Sequence, residues 1–193
     1  MFGIPRGGVV VAHEVAERLD CPLDVLVVRK LGYPGHEEAA FGALGEEGAL
    51  VPEALARMQP GDPGYEVVRA AMERKRQEAE EQVRTFRGTR PRRSAAGATA
   101  IVVDDGLATG YTFAAALAIV RRDGPRRLIA AIPVATADGA DLISSYCDEI
   151  RLLRAAQRGR FFAVSMHYES FGQVNDEEVV ALLASREEGR HGS

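Results

Sequence analysis

Hydrophobic and polar positions group along the chain into short apolar runs that alternate with longer stretches of helical spacing. Residues 23–28, 100–103 and 126–134 are runs that are apolar apart from Asp24 and the two arginines at 126–127, as in parallel strands buried on both faces. Residues 9–19 and the stretch from Thr112 onward repeat apolar side chains at the spacing of a helix. Strands that alternate with helices predict an α/β fold, a doubly wound parallel β-sheet flanked by helices, with ligands at the carboxyl ends of the strands.

Three segments depart from this alternation. Residues 41–51 predict a hairpin around a turn that contains Gly. Residues 52–93 contain a loop rich in Pro and Gly and then a highly charged helix over residues 65–87, most of whose polar side chains form a solvated face. Residues 155–193 contain a cluster of aromatic side chains and then a terminal helix capped by Asn175. The 193 residues are therefore expected to form a single domain with a charged helical arm and a small C-terminal hood.

Candidate chemistry is concentrated where the run of residues 100–103 ends. Two carboxylates, Asp104 and Asp105, come first, and a short loop of small and hydroxylated residues leads from them into the next helix. The loop comprises Gly106, Leu107, Ala108, Thr109, Gly110, Tyr111 and Thr112. Unpaired N–H groups at a helix N-terminus favour an anion, whereas paired carboxylates repel a phosphate and accept hydrogen bonds from vicinal hydroxyls. A ligand with a phosphate at one end and a diol beside it is a ribose 5-phosphate.

A second anion site is predicted near the start of the sequence. Arg6, Gly7 and Gly8 lie between a short strand and the first helix, so bare backbone, a helix N-terminus and a guanidinium come together there. Arg29 and Lys30 follow the second apolar run. Two cations at the carboxyl end of a strand predict a contact with the same anion, above all for Lys30.

The stretch from Ala100 to Thr112 resembles the signature with which type I phosphoribosyltransferases bind 5-phosphoribosyl-1-diphosphate (PRPP). The likeness runs from Ile4 to the terminal helix, and it is to a poorly characterised bacterial branch of that family. The resemblance implies a PRPP-dependent pentosyltransferase of nucleotide metabolism. Such an enzyme transfers 5-phosphoribosyl to a nitrogen of a base or amine and releases pyrophosphate, with Mg²⁺ held by PRPP and not directly by the protein.

The same resemblance implies roles for the residues of both loops. Asp104 and Asp105 would orient the ribose, which makes them the expected catalytic residues. The loop of residues 106–112 would anchor the 5-phosphate. The diphosphate would be held by Arg6, Gly7, Gly8 and Lys30.

The family also implies a function for the two segments outside the alternating pattern. The arm of residues 52–93 corresponds to a mobile lid that excludes water from the reactive ribosyl group, with Arg84 or Arg87 as its contacts. The hood, about residues 155–193, would cover the acceptor. The aromatic side chains that would stack on the acceptor are Phe161, Phe162 and Tyr168.

One position of the loop bears on the acceptor. In 6-oxopurine transferases the third residue after the acidic pair is an Asp near the base, and here that residue is Ala108. By resemblance this argues against a hypoxanthine- or guanine-type contact. Adenine, pyrimidines and a non-nucleobase amine stay open.

Other interpretations of the acidic pair account for less of the sequence. A turn followed by a helix cap leaves the Thr-Gly-x-Thr loop unexplained. A phospho-receiver domain requires later strands that end in Asp and in Lys, whereas the next strand ends in Pro133 and Val134. The main alternative function is a non-catalytic PRPP or nucleotide sensor on the same fold, but no basic module or helix-turn-helix region is evident. A diphosphokinase that makes PRPP would need an ATP site and a second comparable domain.

Composition and charge limit the expected partners and cellular compartment of the protein. The net charge of −4 argues against a general nucleic-acid or membrane surface, and no apolar run approaches the length of a membrane span. Cys21 and Cys147 are isolated, as expected for free thiols in the cytoplasm. The expected assembly is a homo-oligomer, a dimer, whose partners are PRPP and a small nitrogen acceptor.

Because family members have a helix and a fuller first strand before the loop, a truncated N-terminus or a misassigned start codon is expected.

Overall fold

The computed structural model of the protein describes residues 1–33, 36–46, 48–50, 57–156 and 163–188. The strands are β1 (Phe2–Gly3), β2 (Asp24–Val25), β3 (Val28–Tyr33), β4 (His36–Gly45), β5 (Gly48–Leu50), β6 (Thr99–Val103), β7 (Arg127–Thr136) and β8 (Glu149–Ala156). The helices are α1 (Gly7–Arg18), α2 (Tyr65–Arg87), α3 (Tyr111–Arg122), α4 (Ala137–Ile143) and α5 (Asp176–Glu188), with a short 3₁₀ helix at Val164–His167. Within these ranges, no helix combines the length and the apolar character needed to cross a membrane.

The central sheet contains five parallel strands in the spatial order β2-β1-β6-β7-β8. Helices pack on both of its faces, because successive side chains of a strand point to opposite sides. Val102 of β6 belongs to the core formed with α3 and α4, whereas Val103 belongs to the core formed with α1, α2 and α5. The predicted doubly wound α/β fold is confirmed.

One part of the sheet surface is open. An apolar groove of about 340 Å³ runs beside α1 over β6, β7 and β8, and its lining includes Ile101, Ile129 and Leu153. The side chain of Leu153 is 88% exposed. Parallel strands are normally covered on both faces. The groove is therefore an unusually apolar surface on the side of the sheet opposite to α3 and α4.

A second, antiparallel sheet has the order β3-β4-β5. The predicted hairpin is confirmed, because β4 and β5 pair antiparallel on either side of a turn after Gly45.

The strand predicted over residues 23–28 is wrong in extent, since the run is divided between β2 and β3. The chain leaves the parallel sheet at residues 26–27, but both halves are buried and the run looks continuous. Arg29 and Lys30 consequently lie inside β3 and not at the end of a parallel strand.

The predicted charged helix is confirmed as α2, which packs against β3, β4 and α5. Its last residue, Arg87, is 4% exposed and contacts the carboxylates of Glu46 and Asp24. Asp24 also accepts a 2.7 Å hydrogen bond from the N–H of Arg93. Burial raises the pKa of Glu46, and the Arg87 guanidinium offsets part of that rise. Arg87 therefore fastens the helix to the domain instead of reaching over the site, while a lid elsewhere in residues 52–93 stays a prediction.

Candidate active site

The loops that follow β1 and β6 lie side by side at the carboxyl edge of the central sheet. Gly3 of β1 stands opposite Val103 of β6, and the N–H of Ile4 donates to the Val103 carbonyl oxygen at 2.9 Å. Residues 6–8 therefore emerge next to the acidic pair that follows β6. Both anion sites predicted from the sequence meet at the edge of the sheet where this type of fold binds ligands.

Glycine allows the closest contact between these loops. A Cβ on Gly7 would overlap the carboxylate of Asp105, and a Cβ on Gly8 would lie 2.8 Å from the Cα of Asp104. Real Cβ atoms do not approach other atoms so closely without displacing them. Because α1 begins at Gly7, the unpaired N–H groups and positive dipole end of its first turn lie directly beside the acidic pair.

The two carboxyl groups of the acidic pair lie largely out of water and close to each other. Withdrawal from water raises the pKa of Asp104 well above its ordinary value, and the neighbouring Asp105 raises it further. Withdrawal from water also raises the pKa of Asp105. The N–H of Asp105 donates to Asp104 Oδ1 at 2.9 Å. Carboxylates in this situation are favourable acceptors for hydroxyl donors and favourable neighbours for a cation.

The loop after the acidic pair is held against the end of β7. Leu107 is buried and its N–H and carbonyl groups bond to the β7 main chain. The hydroxyl of Thr136 donates to the Ala108 carbonyl oxygen at 2.5 Å. Gly110 adopts a φ of +85° just before α3, a conformation that favours glycine. Thr109 is exposed at the mouth of this turn, so the loop offers both a hydroxyl and a helix N-terminus to an anion.

The segment of residues 163–174 lies over the acidic pair. A Cβ on Gly106 would lie 2.5 Å from a methyl of Val164, so glycine is needed for this segment to pack against the loop. The hydroxyl of Tyr168 donates to the carbonyl oxygen of Asp105 at 2.5 Å. Burial and the two nearby carboxylates raise the pKa of Tyr168 to about 12. The Tyr168 hydroxyl is therefore engaged with the main chain of the acidic pair.

An open cleft of about 470 Å³ lies between this segment and α1. Its lining includes Arg6, Gly7, Asp105, Tyr168, Phe171 and Gln173. Phe171 is 46% exposed. It belongs to the aromatic cluster noted in the sequence, but its position in that cluster gave no reason to choose it as a candidate site residue. The cleft-lining residues in the described part of the chain do not include Lys30. Phe161 and Phe162 lie outside the described residues, so their stacking on an acceptor stays a prediction.

Arg6 contacts the helix at the far end of the chain. Its Nε donates to Asp176 Oδ1 at 2.7 Å, and both side chains are partly exposed. The peptide bond between Pro5 and Arg6 is cis. Asp176 is the first residue of α5. The sequence pattern could not reveal this contact, because the two residues are 170 positions apart.

Comparison with known proteins decides the family. The phosphoribosyl transferase domain family matches residues 1–169 of this sequence. The chain belongs to the phosphoribosyl transferase family. The resemblance found in residues 100–112 is thereby confirmed.

Two relatives of this chain are curated proteins of Mycobacterium tuberculosis, named "Putative phosphoribosyl transferase MT0597" and "Putative phosphoribosyl transferase Rv0571c". Each is 43% identical over 188 residues, which is 95% of this chain and 41% of the relative. The chain therefore spans about two fifths of the length of these relatives. The crystal structure of TT1426 from Thermus thermophilus is similar with a TM-score of 0.80 and 37% identity, covering 95% of this chain and 86% of that one.

Two groups of side chains in the described part of the chain bear on metal binding. In the described ranges, a group of three side chains with ligand atoms within 4.8 Å of one another is formed by His13, Glu14 and Glu17 of α1. Its two carboxylates are exposed. The acidic pair of the site offers two adjacent carboxyl groups with raised pKa values. This pair fits a cation that arrives together with an anionic ligand better than a resident ion enclosed by protein.

Proposed function

We propose that the protein transfers the 5-phosphoribosyl group of PRPP to a nitrogen of a base or amine and releases pyrophosphate. The proposal rests on the contact between the two loops, in which Gly7 lies against Asp105 and Gly8 lies against Asp104. Two anion-binding loops separated only by a pair of carboxyl groups suit a ligand with a phosphate, a diol and a diphosphate in that order. PRPP has this order of groups.

Each part of PRPP has a matching environment. The 5-phosphate fits the turn that ends at Gly110, where α3 begins. The ribose hydroxyls fit Asp104 and Asp105 as hydrogen-bond acceptors. The diphosphate fits residues 6–8 at the start of α1, where main-chain N–H groups and a guanidinium are available.

The chemistry requires little from any single side chain. The bond between C1 of the ribose and the diphosphate oxygen breaks, its electron pair stays with the diphosphate, and the acceptor nitrogen forms the new bond to C1 and loses a proton. Mg²⁺ bound to PRPP supplies positive charge that neutralises the leaving diphosphate. Arg6 and the N–H groups of α1 stabilise the same charge, while Asp104 and Asp105 orient the ribose and favour the positive charge that develops on it.

The acceptor is expected to enter the cleft between α1 and the segment over the acidic pair. Phe171 and Tyr168 supply aromatic surface there, and their ring centroids are 5.2 Å apart. A planar nitrogen-containing ring suits such a wall. The expectations of a dimer in the cytoplasm, with no nucleic-acid partner, accompany this proposal.

Isothermal titration with PRPP and Mg²⁺ tests the proposal. The wild-type protein should bind, and the double variant Asp104→Asn/Asp105→Asn should lose binding while keeping its circular dichroism spectrum. A screen of bases and amines for pyrophosphate release then identifies the acceptor. A folded wild-type protein that does not bind PRPP would contradict the proposal, and binding without release to any acceptor would favour a PRPP sensor.

A further inference from the structure

The ion pair between Arg6 and Asp176 joins the diphosphate loop to the last helix. The Nε of Arg6 and Oδ1 of Asp176 are 2.7 Å apart. Arg6 lines the cleft together with Glu178, which lies in the same first turn of α5 as Asp176. An acidic helix start therefore faces a loop that the proposed function assigns to a highly charged anion.

Asp176 lies at the start of a helix that is firmly attached to the domain. Asn175 caps α5 through a 2.8 Å hydrogen bond from the N–H of Glu178 to its Oδ1. Farther along α5, Ser185 and Arg186 bond to the side chains of His13 and Asp20 in and just after α1. Buried apolar side chains of α5 complete this attachment. The Asp176 carboxylate consequently has a defined place beside the loop of residues 6–8.

A guanidinium at this position can pair with a carboxylate or with a phosphate. Both anions accept charge-assisted hydrogen bonds from the same edge of an arginine. A diphosphate carries more charge than one carboxylate and also receives the N–H groups of α1, so it can displace Asp176. The displaced carboxylate is still nearby, where it repels the diphosphate.

We propose that Asp176 sets the affinity of the site for the diphosphate group by competing with it for Arg6. This proposal rests on the proposed function, because it takes the loop of residues 6–8 as the diphosphate site. Asp176 acts on the ligand through Arg6 and is not itself a catalytic residue.

The variant Asp176→Asn tests the competition without changing the size of the side chain. We expect Mg²⁺-pyrophosphate to bind this variant about threefold to tenfold more tightly than the wild type in a calorimetric titration at low salt. The gain should shrink as the ionic strength rises, since both side chains are partly exposed. With PRPP as substrate, KM should fall while kcat stays constant or decreases, because pyrophosphate leaves more slowly.

A matched control is available in the same turn of α5. Glu177→Gln removes the same charge from the same helix end, and Glu177 is exposed. It should leave pyrophosphate affinity within about twofold of the wild type, because a surface charge without a direct partner in the site contributes little. Should Asp176→Asn be poorly folded, Asp176→Ser retains a helix-compatible polar group and serves in its place.

A double variant separates competition for Arg6 from general electrostatics. In an Arg6→Gln background, Asp176→Asn should give a clearly smaller gain, because competition for the guanidinium is absent and only the direct repulsion between Asp176 and the diphosphate remains. Equal or weaker binding by Asp176→Asn, or an undiminished gain in the Arg6→Gln background, would overturn the role of Asp176. If neither the wild type nor any variant binds pyrophosphate or PRPP, the proposed function itself fails.

Discussion

The hydroxyl of Tyr168 donates a 2.5 Å hydrogen bond to the backbone carbonyl oxygen of Asp105. The sequence predicted Tyr168 as an aromatic surface for the acceptor, and the structure gives its hydroxyl a second task. Through this bond the segment over the site is attached to the acidic pair itself. The ring of Phe171 packs beside Tyr168 and adds a second aromatic side chain to the cleft.

Tyr168→Phe should therefore weaken the site without removing its aromatic wall. We expect the free energy of unfolding to fall by about 1 kcal/mol, as for the loss of one hydrogen bond. Activity should decrease by roughly the same factor at every pH between about 6 and 9, because the pKa of Tyr168 is raised to about 12 and the hydroxyl stays protonated. Chemical denaturation and a pH–rate profile measure the two effects. Tyr65→Phe in α2 is the control, because it removes a hydroxyl that accepts a 3.2 Å hydrogen bond from Arg69 outside the cleft. An activity ratio that changes across this pH range would contradict the assignment.

Gly7→Ala should disrupt the meeting of the two loops. The added methyl would overlap the Asp105 carboxylate, so the loop must shift away from the acidic pair. We expect a loss of about 1–3 kcal/mol in the free energy of unfolding, as for other overpacked sites, together with loss of PRPP binding. Gly172→Ala provides a matched control in the same cleft, because a Cβ there meets no atom within 4 Å. Unchanged PRPP affinity in Gly7→Ala would show that the contact between the loops is unimportant for binding.

Asp104→Asn should stabilise the folded protein at neutral pH while impairing binding. The pKa of this carboxyl is raised in the folded state above its ordinary value of 3.8. Between those two pKa values the folded state binds more protons than the unfolded state, so stability falls as pH rises through this window. An amide is uncharged and avoids that loss. Each kcal/mol gained should raise the Tm by about 2–4 °C in a domain of this size.

Calorimetric melting from about pH 4 to 8 checks this prediction. The advantage of Asp104→Asn should become small as the pH falls towards about 4, where the wild-type carboxyl is protonated in the folded state and about half protonated in the unfolded chain. Asp141→Asn, which removes an exposed carboxylate of α4, is the reference variant. If Asp104→Asn still melts at a higher temperature than the wild type by the same amount near pH 4, the charge on Asp104 is not what destabilises the fold.

The sequence was sufficient where local pattern determines structure. The charged segment of residues 65–87 forms a helix with those bounds, because ion pairs at helical spacing, such as those of Arg76 with Glu73 and Glu80, are encoded locally in the sequence. The strand before Asp104 and the helix after Gly110 also follow directly from the order of apolar, acidic and small residues. The adjacency of both anion loops follows in turn from the parallel arrangement of β1 and β6.

Other features depend on contacts between distant parts of the chain. Lys30 was expected at a strand end, but the chain turns out of the parallel sheet at residues 26–27, and only pairing with β4 decides this. The bond from Tyr168 to Asp105 and the ion pair of Arg6 with Asp176 span 63 and 170 positions. Hydrophobic periodicity carries no information about which side chains meet across such separations.

The packing of α1 on α5 also constrains the order in which parts of the protein can fold. During synthesis Arg6 is incorporated 170 residues before Asp176, to which it is paired. Closing such a long loop is slow compared with forming the local helices. The sheet and the acidic pair can therefore form before α5 is complete, and the pairing of Arg6 with Asp176 is among the last contacts to form as the domain folds.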